Sequence, residues 1–266
     1  MPEGPEIRLA ADELASALVG RPALEVFFAF AHLKPYEAKL AGETVTAVEA
    51  RGKAILTRFA NGFNIYSHNQ LYGRWLVRDA YDYPETNRQL RLAIHNRHKS
   101  ALLYSASDIE VLRDDELAGH PFLNKLGPNL LDESVTAVDV VERLLSPRFR
   151  QRRLSGLLLD QAFLAGLGNY LRSEILFMAG VHPSLRPADC SPEQIQRLGE
   201  AALSLTRQSY QMQGITNDPA LVERLRRQGY ERSRYRFRVF NREGEPCFTC
   251  GAPVVKDIIG GRRLYF

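Results

Sequence analysis

Apolar positions recur at two different periods along this chain, and the change of period divides it. From Glu6 to Val19, Ile7, Ala10 or Ala11, Leu14 and Leu18 return every three or four residues, which predicts an amphipathic helix stopped by Gly20. Beyond Gly20 the pattern shortens. Ala23–Phe30, Thr44–Ala50, Lys53–Phe59, Phe63–His68, Arg74–Val77, Leu90–Ile94 and Leu102–Ser105 are short runs rich in β-branched and aromatic residues, separated by turn residues. An Asn61-Gly62 pair between two of them suits a tight hairpin. Such a succession predicts an antiparallel sandwich or barrel, closed by a short helical segment near Asp108–Leu117.

Pro121–Glu133, with Gly127-Pro128 inside it, reads as a linker. Helical spacing then returns. Thr136–Leu145 ends at Ser146-Pro147, Arg150–Leu158 follows, and Asn169–Ala179 stops at Gly180. Ser191-Pro192-Glu193 opens a further helix to about Ser209, with Ser as cap and Pro in its first turn. Gln211–Gln228 is polar and of no settled period, and Tyr235–Phe266 predicts two short hairpins around Cys247-Phe248-Thr249-Cys250. The expected organisation is a β-sandwich domain over 1–124, a linker over 125–133, a helical domain over 134–230 and a hairpin module over 231–266. This is an α+β chain with no internal repeat.

Composition narrows the class. At 266 residues and 45% hydrophobic content the chain can build real cores and carries no low-complexity tract. It shows no basic-then-apolar leader and no run long enough to span a bilayer. Three cysteines do not make a disulfide scaffold, so a reducing cytoplasm is expected. The net charge of +4 matters less than its placement. Arg148, Arg150, Arg152 and Arg153 crowd one segment; Arg224, Arg226, Arg227, Arg232, Arg234, Arg236 and Arg238 crowd another, with aromatics interleaved. Guanidinium forks bind phosphate bidentately, so the two clusters lean toward nucleic acid.

Candidate chemistry begins at the first six residues, Met1-Pro2-Glu3-Gly4-Pro5-Glu6. With Met1 removed, the chain starts with a secondary amine beside a carboxylate. A terminal amine titrates at ~7.7–8.0, far below lysine, so a useful fraction of it is neutral and nucleophilic at working pH. A proline nitrogen that attacks an aldehyde-like carbon gives an iminium whose positive charge needs no proton, and Glu3 and Glu6 stand ready as acid/base groups. Ordinary helix-start chemistry accounts for the same residue types. Further on, Asp160–Asn169 is glycine-punctuated and runs into the helix at Tyr170, where backbone N–H groups and the Asn169 amide are expected to form a phosphate site; a plain αα-turn is the alternative.

Met1-Pro2-Glu3-Gly4-Pro5-Glu6, Arg51-Gly52-Lys53, Gln161–Leu171 and the Cys247/Cys250 hairpin occur in that order across the whole chain. On these motifs the chain resembles the formamidopyrimidine-DNA glycosylase/endonuclease VIII family of base-excision repair enzymes. Ser67-His68-Asn69-Gln70-Leu71-Tyr72-Gly73 resembles its bacterial endonuclease VIII members. The resemblance implies a monomeric glycosylase and abasic-site lyase acting on oxidised pyrimidines in double-stranded DNA. Its fold is then an N-terminal antiparallel β-sandwich, a helix–two-turns–helix domain and a C-terminal β-hairpin zinc finger, with DNA in the cleft. By the same likeness Pro2 is the nucleophile, Glu3 the acid/base group and Glu6 its support. Lys53 touches phosphate and assists strand cleavage, Asn169 binds phosphate, and Lys125 contacts DNA. Arg262 grips phosphates from the hairpin tip, next to Arg263 where endonuclease VIII members tend to have proline. A base inside a duplex must be flipped out to be reached, and Gln70, Leu71 and Tyr72 are suited to filling the gap, although core packing of Leu71 and Tyr72 is the commoner use of such residues.

A structural zinc needs four ligands, and here only Cys247 and Cys250 form a pair; Cys190 stands far back and alone. The finger reads as truncated, which predicts little or no tightly held zinc and a poorly fixed Arg262. An oxidised-purine enzyme of the same family is the alternative reading, and Gln70-Leu71-Tyr72 argues against it. A DNA-binding protein that lost catalysis does not fit the intact Pro2, Glu3, Glu6 and Lys53, and a generic zinc-ribbon binder leaves the terminal amine unexplained.

Overall fold

A computed structural model describes residues 2–266; Met1, whose removal the amine chemistry requires, lies outside the described residues. The chain divides into two compact units, Glu6–Lys125 with Pro2, and Leu126–Phe266 with Glu3–Pro5.

The first unit is a sandwich of two antiparallel four-stranded sheets. The strands are β1 (Glu25–Phe28), β2 (Val45–Arg51), β3 (Ala54–Phe59), β4 (Phe63–His68), β5 (Arg74–Asp79), β6 (Leu90–His95), β7 (Lys99–Tyr104) and β8 (Asp108–Arg113). One sheet runs β1-β6-β7-β5 and the other β2-β3-β4-β8. Inward residues of both, among them Phe28, Ile55, Ile65, Leu92 and Leu103, form one core with Ile7, Leu14 and Leu18 of helix α1 (Gly4–Leu18). Each fully buried aliphatic side chain here is worth ~1.5–3 kcal/mol. The expected tight turn at Asn61-Gly62 joins β3 to β4, with Gly62 at φ 79°. A short helix α2 (Glu37–Leu40) follows a 3-10 turn between β1 and β2.

One expectation fails in this unit. Asp108–Arg113 is not helical but is the eighth strand, registered on β4 from His68↔Asp108 to Phe63↔Arg113. Its acidic residues lower strand propensity, yet Ile109 drops into the sandwich core and Glu110 faces out, the alternation that a vacant sheet edge rewards.

In the second unit lie α3 (Ala137–Leu145), α4 (Leu154–Leu157), α5 (Asn169–Ala179), α6 (Pro192–Gln211), α7 (Pro219–Arg227), α8 (Arg232–Tyr235) and a hairpin of β9 (Lys256–Ile259) and β10 (Arg262–Tyr265). Thr136 and Asp139 form a capping box at α3, and Ser191 and Gln194 one at α6. The centre of the unit is α5, whose Tyr170–Leu176 stretch is buried throughout; it ends at Gly180 in the left-handed conformation.

The expected Arg150–Leu158 helix shrinks to α4, because the N–H groups of Leu154 and Ser155 bond outward to the carbonyls of Leu185 and Pro183. Within Gln211–Gln228, Asp218 caps α7 ahead of Pro219. Of the two hairpins expected at the end, only β9–β10 forms; the Cys247–Cys250 segment is a turn closed by a Pro246↔Pro253 bridge.

Candidate active site

Glu3 is buried, 3% exposed, at the start of α5. Its Oε2 accepts from the N–H groups of Gly168 (2.7 Å) and Leu171 (3.3 Å), and its Oε1 from that of Tyr170 (2.8 Å). A carboxylate is acceptor-only, and these three partners are donors at the positive end of a helix. The surrounding loop is shaped for it. A Cβ on Gly168 would fall 2.4 Å from Glu3 Cδ, so only glycine leaves room. Gly4 N–H bonds the Gly166 carbonyl at 2.8 Å, docking the first residue of α1 on the loop. Gln161 braces the loop from inside, accepting from Gly166 N–H and donating to the Leu159 and Leu167 carbonyls. Arg143 holds the carbonyls of Ala162 and Phe163. The phosphate site expected from the N–H groups of this helix start is therefore corrected: those of Gly168, Tyr170 and Leu171 already bind Glu3. Asn169 Oδ1 is buried with no hydrogen-bond partner among the described residues.

Three polar residues of α5 escaped the sequence reading. Arg172, fully buried, donates from Nη1 to the Ser155 carbonyl and from Nη2 to the Arg263 carbonyl, each at 2.8 Å. Burial chiefly, and next the charge of Arg262, bring its pKa down to about 10 against the opposing pull of Glu3. Arg172 thus feels both a residue beside the chain's start and one at the hairpin tip. Ser173 Oγ accepts from Tyr265 N–H at 3.2 Å. Glu174, also fully buried, accepts from the N–H groups of Arg238, Val239 and Phe240 and from the Thr216 hydroxyl. The available signal was an Arg-Ser-Glu run in a helix apolar on every other face.

These bonds bear on the hairpin that carries Arg262. Its backbone is bonded to α5, with Leu264 and Tyr265 buried, and the Arg262 side chain is exposed. For zinc, the residues present do not fit. Cys247 is buried and Cys250 exposed, and the described residues contain no group of three or more metal-ligating side chains. Burial raises the Cys247 thiol, but hydrogen bonds from Cys250 and Thr249 outweigh it and bring its pKa below the usual thiol value. That is turn chemistry, with two of the four ligands a structural zinc needs.

Pro2 is half-buried ahead of α1, and Glu6 is half-buried in its first turn. Lys53 is 5% exposed in the β2–β3 turn, which excludes a solvated strand-end lysine. Gln70, Leu71 and Tyr72 form the β4–β5 turn. Leu71 is 57% and Tyr72 69% exposed, so neither is a core residue. Lys125 is exposed at the end of a 3-10 turn, Leu123–Lys125.

Two family models match the chain: the Formamidopyrimidine-DNA glycosylase N-terminal domain over residues 1–107 and the Formamidopyrimidine-DNA glycosylase H2TH domain over residues 126–219. The chain is 49% identical over 266 residues to Endonuclease 8 of Salmonella schwarzengrund (strain CVM19633), covering 100% of this chain and 98% of that protein. Endonuclease 8 of Salmonella enteritidis PT4 (strain P125109) matches with the same identity and coverage. The fold is shared with Lactococcus lactis Fpg in complex with DNA containing N7-benzyl-Fapy-dG, at a TM-score of 0.81 and 21% identity, covering 100% of this chain and 97% of that one. These matches define the class of the protein, a DNA glycosylase that is also an abasic-site lyase. The chain belongs to the formamidopyrimidine-DNA glycosylase family. Among the described residues, no helix is long and apolar enough to cross a membrane.

Proposed function

We propose that this enzyme removes oxidised pyrimidines from double-stranded DNA and cuts the strand at the resulting abasic site by β,δ-elimination, with the Pro2 amine as nucleophile. The observation that carries this reading is the buried carboxylate one peptide bond from that amine. Glu3 is held by three backbone N–H groups and loop glycines, more shaping than a helix start needs. Pro2 nitrogen bonds to the sugar carbon as the bond to the damaged base breaks, and Glu3 serves as acid/base group for base departure, with Glu6 in support. The sugar ring then opens, its oxygen taking up the proton that the Pro2 nitrogen sheds, and the iminium so formed draws electrons from the sugar. Loss of the neighbouring carbon's proton expels the 3′ phosphate, and a second elimination, aided by Arg262, expels the 5′ phosphate. Lys53 and Asn169 contact phosphate, Lys125 adds a basic DNA contact, and Gln70, Leu71 and Tyr72 fill the gap left by the flipped nucleotide. In support, Leu71 and Tyr72 keep large apolar surfaces in solvent on a short turn.

Borohydride tests the covalent step, because it reduces an iminium to a stable amine. Protein verified to begin at Pro2 is expected to be trapped on duplex DNA carrying an abasic or oxidised-pyrimidine site. Retained Met1 or an amino-terminal tag abolishes trapping while leaving DNA binding. No trapped species from the Pro2 form rejects the mechanism.

A further inference from the structure

The loop Asn69–Gly73 puts two large apolar side chains in water, yet its backbone is tied down on every side. Gly73 N–H bonds the Asn69 carbonyl at 2.7 Å, and a Cβ on Gly73 would meet that same oxygen at 2.5 Å. Gln70 sits at φ 51°, a conformation that costs a non-glycine residue energy and persists only where its surroundings impose it. Here the surroundings are named. Gln70 N–H donates to His68 Nδ1 at 3.0 Å, and Ser107 Oγ donates to Gln70 Oε1 at 2.7 Å. From the far side, Arg88 donates to the Tyr72 carbonyl at 2.7 Å.

We propose that His68, assisted by Ser107, is the positioning residue of the gap-filling loop, holding Gln70 in its left-handed conformation so that Leu71 and Tyr72 are presented rigidly before DNA arrives. The proposal rests on the reading of Gln70–Leu71–Tyr72 as the gap-filling residues. A preset wedge enters the duplex without paying the ordering entropy of a loose loop, so the gain falls on base eversion. The acceptor role requires a neutral ring at Nδ1, because a protonated imidazole has donors only. His68 packs edge-on against Phe122, and its pKa lies below the ordinary histidine value, through burial first, with Asp108 opposing and Lys53 adding. Tyr66, Glu110 and His120 are the other titratable groups lining the pocket that His68 faces. The acceptor is therefore present above the lowered pKa and lost as pH falls through it.

The test compares His68→Leu, His68→Asn and Leu71→Ala on duplexes carrying either an oxidised pyrimidine or a preformed abasic site. An asparagine at 68 can offer Oδ1 to the N–H two residues on, without titrating. His68→Leu is expected to lose about tenfold in kcat/KM on the lesion duplex, as Leu71→Ala does, with a smaller loss on abasic DNA, which also shows that the variant folds. His68→Asn restores turnover and removes the lesion-specific part of the fall below the ordinary histidine range, while the fall shared with abasic DNA, which protonation of the Pro2 amine causes, remains. Leu71→Ala impaired while His68→Leu matches wild type overturns the proposal alone, as does His68→Asn no better than His68→Leu. Leu71→Ala itself unimpaired overturns the gap-filling reading and the proposal with it.

Discussion

A carboxylate that meets three backbone N–H groups cannot become an amide without aiming a donor at a donor, and Glu3 is in that position. Glu3→Gln is accordingly expected to slow base removal by about 10²–10⁴-fold, the usual worth of a positioned acid/base group. Cleavage of preformed abasic sites should survive, since no base has to be expelled there. Equal loss of both activities, measured on lesion and abasic duplexes side by side, refutes that role for Glu3. A second residue-scale expectation concerns His95. It is fully buried between the Tyr83 hydroxyl (2.9 Å) and Ser100 Oγ (2.7 Å), and burial, partly opposed by Glu25, lowers its pKa. The folded chain therefore resists a proton that the unfolded chain accepts. The stability so contributed is complete above the ordinary histidine value and declines as pH falls through it toward the lowered one. Thermal unfolding between pH 7.5 and about 5 should show that decline, and His95→Gln should flatten it.

At the scale of elements, α5 is the hub of the second unit. It holds Glu3 at its amino end and, through Arg172, Ser173 and Glu174, the backbone of β10 and of residues 238–240. Arg172→Met removes two buried hydrogen bonds and leaves two carbonyls short of a donor. It should cost ~2–5 kcal/mol and speed amide exchange in β9 and β10, with strand cleavage falling alongside. Unchanged exchange in the hairpin would show that something other than α5 fastens it. The complementary measurement is on metal: the 266-residue chain should keep little zinc after dialysis, and a chelator should leave both its unfolding and hairpin exchange unaltered. A full equivalent of zinc retained through dialysis overturns this account. The capped, periodic helices α1, α3, α5 and α6 were readable because periodicity and capping residues are local signals. The strand Asp108–Arg113 was not, since its partner β4 lies 40 or more residues away in the chain and pairing, not propensity, makes it a strand.

Across the whole molecule, the excess of positive charge is small but clustered. Binding to duplex DNA should weaken steeply with salt, each neutralised phosphate adding about 0.9 to the log–log slope. Replacing Arg224 and Arg226 of α7 by Gln should make that slope shallower if the second arginine cluster meets phosphate, and an unchanged slope removes α7 from the DNA interface.

The sequence alone carried the chemistry on offer: a proline directly behind Met1, its neighbouring carboxylates, the lysine after Arg51-Gly52 and a Gln-Leu-Tyr turn. It also determined most elements, because hydrophobic period, caps and glycine stops act within a few residues. The folded chain settled what each group meets. It turned the N–H groups of the α5 start toward Glu3, buried Lys53, and left Leu71 and Tyr72 in solvent. It also bonded the hairpin's backbone to Arg172 and Ser173. These are contacts between residues as far apart as Glu3 and Gly168, or Arg172 and Arg263, and no local signal encodes them. They follow from the requirement that every buried donor and acceptor find its counterpart once the chain has closed on itself.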